Sequence, residues 1–109
     1  MNNGAFVPMG KTYLVGTSSV QVKAEGNQTP TTYRIKSMLS TTQYLRWAPP
    51  DPTGTAITVG SVTAPSAGSP SDNTIGFFPG AVEVISLPAN AWFKSDAVAA
   101  FEIIPGEGF

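Results

Sequence analysis

The chain contains no cysteine and no histidine. Their absence removes disulfides, thiolate nucleophiles, imidazole bases and the usual zinc and haem ligands together. A chain without thiols is also indifferent to redox compartment. Charge is scarce: Asp, Glu, Lys and Arg make up 12% of the residues, about half the ~25% of an ordinary soluble domain. Six cations against seven anions leave a net charge of −1, so the basic field that phosphate neutralisation requires is missing and nucleic acid is not an expected partner. No stretch approaches the ~20 consecutive apolar residues of a membrane span. The opening Met1-Asn2-Asn3-Gly4-Ala5-Phe6-Val7-Pro8 has neither a basic segment nor an apolar run. Neither export nor membrane insertion is expected.

What is present points to β-structure. Eleven Gly and ten Pro divide the 109 residues at short intervals, leaving no long window for a helix. Between them, apolar and polar residues alternate at period two, as half-buried strands require. Val20-Gln21-Val22-Lys23-Ala24 shows this, followed by a turn at Gly26 and Asn27. Tyr33-Arg34-Ile35-Lys36 and Gln43-Tyr44-Leu45-Arg46-Trp47 repeat it, the latter stopped by Pro49 and Pro50. Thr12-Tyr13-Leu14-Val15, Ala56-Ile57-Thr58-Val59, Thr74-Ile75-Gly76-Phe77-Phe78, Ala81-Val82-Glu83-Val84-Ile85-Ser86-Leu87 and Ala100-Phe101-Glu102-Ile103-Ile104 bring the count to eight, with Ala91-Trp92-Phe93-Lys94 a candidate ninth. The pattern predicts an all-β fold, an antiparallel β-sandwich or small barrel, with the jelly roll as one arrangement that fits. Strand order is not readable. Ser95-Asp96-Ala97-Val98-Ala99-Ala100 predicts a single helical turn. The Pro-, Gly-, Ser- and Thr-rich residues 49–70 predict long exposed connections. Residues 1–109 fit one domain, with 1–9 as a candidate N-terminal arm, either a sheet-edge strand or an arm laid on a neighbour.

No chemistry-bearing constellation emerges. Glu83 and Glu102 fall at outward positions of alternating strands, where a carboxylate is a solvated face. Asp51 and Asp72 sit in turn sequences, where Asp bonds its own backbone. Lys36-Ser37 and Lys94-Ser95 are neighbours in sequence only, short of the buried base a serine nucleophile needs. Neither Gly4-Ala5 nor Gly106-Glu107-Gly108 precedes a helix that would hold phosphate. Asn27-Gln28-Thr29 matches a glycosylation sequon, yet reads as a turn before Pro30. The expectation is a non-enzyme without cofactor or metal.

Aromatic and apolar residues carry the remaining signal. Trp47 precedes a proline stop and Trp92 with Phe93 follows the Pro88-Ala89-Asn90 turn; filling the core at a strand end and contacting a partner are the two readings for each. Three adjacent apolar doublets, Phe77/Phe78, Val84/Ile85 and Ile103/Ile104, each place one member on the face away from the core unless a bulge turns both inward. Together they predict apolar surface covered by another element or subunit.

Residues 33–47 and those from Thr74 to the end are similar to small virion proteins of tailed bacteriophages. The phrases Pro79-Gly80-Ala81-Val82-Glu83-Val84-Ile85-Ser86-Leu87-Pro88, Ala91-Trp92-Phe93-Lys94 and Ala100-Phe101-Glu102-Ile103-Ile104-Pro105-Gly106 resemble the closing strands of such proteins. The resemblance covers about half the chain, contains no diagnostic motif, and carries over no functional residue. It implies a capsid decoration, or cement, protein: a compact β-domain on the capsid surface where capsomers meet, oligomeric with copies of itself, bound to the major capsid protein and made in the host cytoplasm. Its contacts would be sought at Phe6, Val7, Trp47, Pro49, Pro50, Phe77, Phe78, Trp92, Phe93 and Phe109. A head–tail or tail component is the alternative within that class, and a glycan-binding β-sandwich module, with Trp47 or Trp92 exposed as a stacking platform, the alternative outside it.

Overall fold

The structure, a computed structural model, describes residues 5–108. Its strands are β1 (Val7–Pro8), β2 (Tyr13–Val15), β3 (Val20–Gln21), β4 (Thr32–Ser37), β5 (Gln43–Ala48), β6 (Thr74–Phe77), β7 (Val82–Ser86), β8 (Trp92–Ser95) and β9 (Phe101–Glu107). All pairings are antiparallel. One sheet has the order β1-β9-β4-β7, with β2 also on β9, and the other β3-β8-β5-β6. The chain is an all-β sandwich of these two sheets.

The order follows from nested pairing. β1 and β2 lie end to end along one edge of β9 and act as one interrupted strand. β1/β2 then pairs with β9, β3 with β8, β4 with β7, and β5 with β6. That is one long two-stranded ribbon with its tip between β5 and β6. Rolling it up brings β9 against β4 and β8 against β5, which is the winding of a jelly roll.

Alternation decides which side chains meet inside. In β4, Tyr33 and Ile35 are buried while Arg34 and Lys36 are exposed. Val15, Val22, Leu45, Phe77, Phe93, Phe101 and Ile103 complete a core shared by both sheets. Two edge-to-face aromatic pairs bridge them. Tyr33 of β4 meets Phe93 of β8 at 5.3 Å, and Phe101 of β9 meets Phe77 of β6 at 5.0 Å; such pairs contribute about 0.5–1.5 kcal/mol each beyond their buried area. The buried Tyr33 hydroxyl also donates to the Pro88 carbonyl at 2.7 Å and accepts the Ala91 N–H at 3.1 Å, fixing the β7–β8 turn.

The break between β1 and β2 has a local cause at Pro105. Antiparallel partners alternate between bonded and non-bonded pairs, so residues of β9 address β4 and the β1/β2 edge in turn. Pro105 falls on the edge side with no N–H to offer. Opposite it the edge strand bulges, Met9 donating to the Pro105 carbonyl at 2.9 Å while the Met9 carbonyl accepts the Glu25 N–H. Next along β9, Gly106 lets β1 close in: a Cβ there would collide with the Val7 carbonyl and the Phe6 ring. Gly106→Ala is therefore expected to peel β1 from β9 at a cost of about 1–3 kcal/mol. Faster hydrogen exchange at the Met9 amide and a lower Tm would register it; an unchanged Met9 amide would contradict the packing.

Three expectations are corrected. Glu83 does not fall at an outward position: it lies opposite the buried Ile35, on the inner side of β7, and stays exposed because that strand is at the sheet edge. Ala56-Ile57-Thr58-Val59 is not a strand. Its backbone is held by side chains instead, Val59 N–H by Ser19 Oγ at 2.8 Å and Val59 C=O by Lys94 Nζ at 3.4 Å. Residues 59–61 of the connection 49–73 lie on the outer face of the β3-β8-β5-β6 sheet, with Arg46 donating to the Ser61 carbonyl at 2.9 Å and Val59 only 2% exposed outside the main core. Residues 95–100 form no helical turn. Ser95 Oγ accepts the Ala97 N–H at 3.3 Å, and Ala99 takes a left-handed φ of 51°, which ends any helical path.

Candidate functional site

Strand direction sorts the connections into two ends of the sandwich. Residues 16–19, 38–42, 78–81 and 96–100 lie at one end, because β2, β4, β6 and β8 all finish there. Backbone bonds tie these turns together. Ser95 N–H donates to the Gly16 carbonyl at 2.7 Å, Met38 N–H to Ala100 at 2.8 Å, and Ser37 N–H to Ala81 at 2.8 Å. Gly16 is required by the packing, since a Cβ there would sit 2.9 Å from the Ala99 nitrogen. Gly80, with φ 72°, allows the tight β6–β7 turn.

This end is where apolar surface gathers. Of the six large hydrophobic residues exposed among the described residues, four belong to it: Phe78 at 78%, Val98 at 74%, Val82 at 45% and Met38 at 41%. Asp96 is the one charged residue in the four connections. Its Oδ1 accepts the Tyr44 N–H and the Ser95 hydroxyl, both at 3.2 Å. Beside Phe78 a hollow of about 200 Å³ is lined by Thr42, Tyr44, Gly76, Phe77 and Phe78. The Tyr44 ring lies over Gly76, where a Cβ would come within 3.0 Å of it. The result is a surface carrying one charge, Asp96, on which exposed apolar side chains gather among Ser and Thr.

The residues singled out from sequence are scattered rather than convergent, and Phe78 alone belongs to this end. Phe77 and Phe93, expected as contacts, are core residues at 2% and 0% exposure, held by the two aromatic pairs and closed to a partner. Trp47 points inward, half-buried against the core. Trp92 is half-buried on the face that carries residues 59–61, its indole N–H enclosed without a hydrogen-bond partner. Neither tryptophan forms the open platform that a sugar ring needs. Pro49 is exposed and Pro50 half-buried, at the opposite end. Val7, 55% exposed, lies at that end too, within β1. Phe6 covers Gly106 and, with Ala5, Pro8, Thr12, Arg34 and Ile104, lines a hollow of about 430 Å³ on the outer face. The described part of the arm is thus a sheet-edge strand on its own domain; Phe109 and residues 1–4 lie outside the described residues.

Each doublet splits as alternation requires, without a bulge. Phe77 and Ile103 face the core, Ile85 packs against it, and Phe78, Ile104 and Val84 face out. The outward Ile104 shares a hollow with the chain's own Phe6, so a subunit is not needed to explain all of this surface. Met38, Val82 and Val98 were not singled out. Their signal was an apolar residue beside turn chemistry, obscured for Val98 by the helical reading of its segment.

Among the described residues no three Asp or Glu converge, and no helix is long and apolar enough to cross a membrane. No protein-family model, curated protein or solved structure matches the chain.

Proposed function

We propose that the protein is a structural component of a tailed-phage particle, a capsid decoration protein that seats its apolar end on the head where capsomers meet. The observation carrying this reading is the concentration of Phe78, Val98, Val82 and Met38 on one end formed by mutually bonded turns. Exposed apolar patches of this kind mark protein contacts. Rigid turns lose little entropy when they dock. The weakly charged surface suits close packing of many copies, and the resemblance of the β4–β5 and β6–β9 segments to phage virion proteins supplies the partner. Jelly rolls also serve in capsids generally, an analogy of fold alone. Attachment requires no turnover and no cofactor: buried area of roughly 1,200–2,000 Å² per site holds a stable contact.

Purified heads of the phage that carries the gene, mixed with excess protein and sedimented, are expected to carry it at a saturating copy number that is a multiple of the capsid's symmetric sites. A few copies per particle would instead place it at the head–tail junction or tail. No co-sedimentation would remove the virion reading.

A further inference from the structure

The free edge of β7 is self-complementary, and we infer that it pairs with β7 of a second copy about a two-fold axis through Val84. Ser37 N–H donates to Ala81 and Leu87 N–H to Thr31, so by alternation residues 81, 83, 85 and 87 direct their backbone groups to β4. Val82, Val84 and Ser86 then direct theirs away from the sheet, and among the described residues no strand lies beyond β7. An antiparallel copy pairs all three at once in one register, Val84 opposite Val84 and Val82 opposite Ser86, each pair exchanging both bonds.

The side chains agree with that register. Glu83, the one charge of the strand, comes opposite Ile85 rather than a second Glu83, and the valines align on the outer face. Natural edges are blocked by lysine, proline, bulges, shortness or an inward-pointing charge; on β7 Glu83 is on the inner side, opposite Ile35, but it is exposed at the edge and reaches solvent. β1 and β3 have two residues each, β1 includes Pro8, and β6 leaves only Thr74 and Gly76 free. β7 has five residues between Gly80 and Pro88, without proline, lysine or bulge. The pairing joins two sheets into one and turns the two apolar ends in opposite directions along the strands. It stands independently of the virion reading, and its test uses no particle.

Sedimentation from about 10 μM to 1 mM tests it together with Val84→Pro. The Val84 N–H faces solvent in the monomer, where proline is tolerated at a sheet edge, so the variant should keep its fold and lose the dimer. Hydrogen exchange on the wild type reads the same contact without mutation: the Val84 amide should gain protection with concentration while the Ile85 amide is protected throughout. A monomer at 1 mM with an unprotected Val84 amide would overturn the inference, as would a dimer that survives in folded Val84→Pro.

Discussion

A Phe78→Asp, Val98→Asp double variant should, on the proposed capsid contact, lose roughly 100-fold or more in affinity for phage heads while melting where the wild type does. Burying a phenylalanine and a valine at the contact contributes about 1.5–3 kcal/mol each, and the two carboxylates would add desolvation cost to what is lost. Both side chains are at least 74% exposed, and substitutions at such positions usually change stability by within about 0.5 kcal/mol. Affinity and stability therefore separate. Co-sedimentation and a thermal melt on one preparation read both. Full occupancy by the folded variant would show that the apolar end is not the contact.

Tyr33→Phe should have the opposite signature, a large loss of stability with the apolar end untouched. The hydroxyl serves the Pro88 carbonyl and the Ala91 N–H together, and removing it strands the buried Ala91 N–H, while the Pro88 carbonyl is at an exposed residue. The orphaned N–H costs about 1–3 kcal/mol, so Tm should drop by about 5 °C or more, at ~4–8 °C per kcal/mol for a domain of this size. The same group has an alkaline signature. Burial raises its pKa above the ordinary 10.0, outweighing the backbone hydrogen bonds from Ala91 and Asn90 that lower it. Below pH 10 the phenol is protonated in both folded and unfolded chains and contributes no slope. Above it the unfolded chain gives up the proton first, so stability falls as pH rises towards the folded-state pKa. The gap between wild type and Tyr33→Phe should consequently narrow above pH 10. Urea unfolding from neutral to alkaline pH measures it, and a gap constant with pH would contradict a buried, neutral Tyr33.

The elements most legible in the sequence were those where one face is buried and the other is not. Tyr33-Arg34-Ile35-Lys36 and Gln43-Tyr44-Leu45-Arg46-Trp47 alternate and became the paired strands β4 and β5. Ala56-Ile57-Thr58-Val59 alternates too, but its backbone partners are Ser19 and Lys94 side chains, which no local pattern encodes. β9 runs three residues past the expected end because Pro105 lies where no donor is needed, a fact set by the neighbouring edge strand. Adjacent apolar pairs stated that one member faces out without stating which. Phe78 over Phe77 was settled by pairing register, Gln43 opposite Phe77 and Tyr44 opposite Gly76. The apolar end itself depends on which turns share an end, hence on strand order, and that is a property of the rolled ribbon rather than of any segment.

The central claim is the orientation of the domain on a particle. A reconstruction of phage heads saturated with the protein should place it between capsomers with Met38, Phe78, Val82 and Val98 facing the capsid and the 49–73 connection free. A domain bound with that end in solvent, or heads that carry no density for it, would contradict the account.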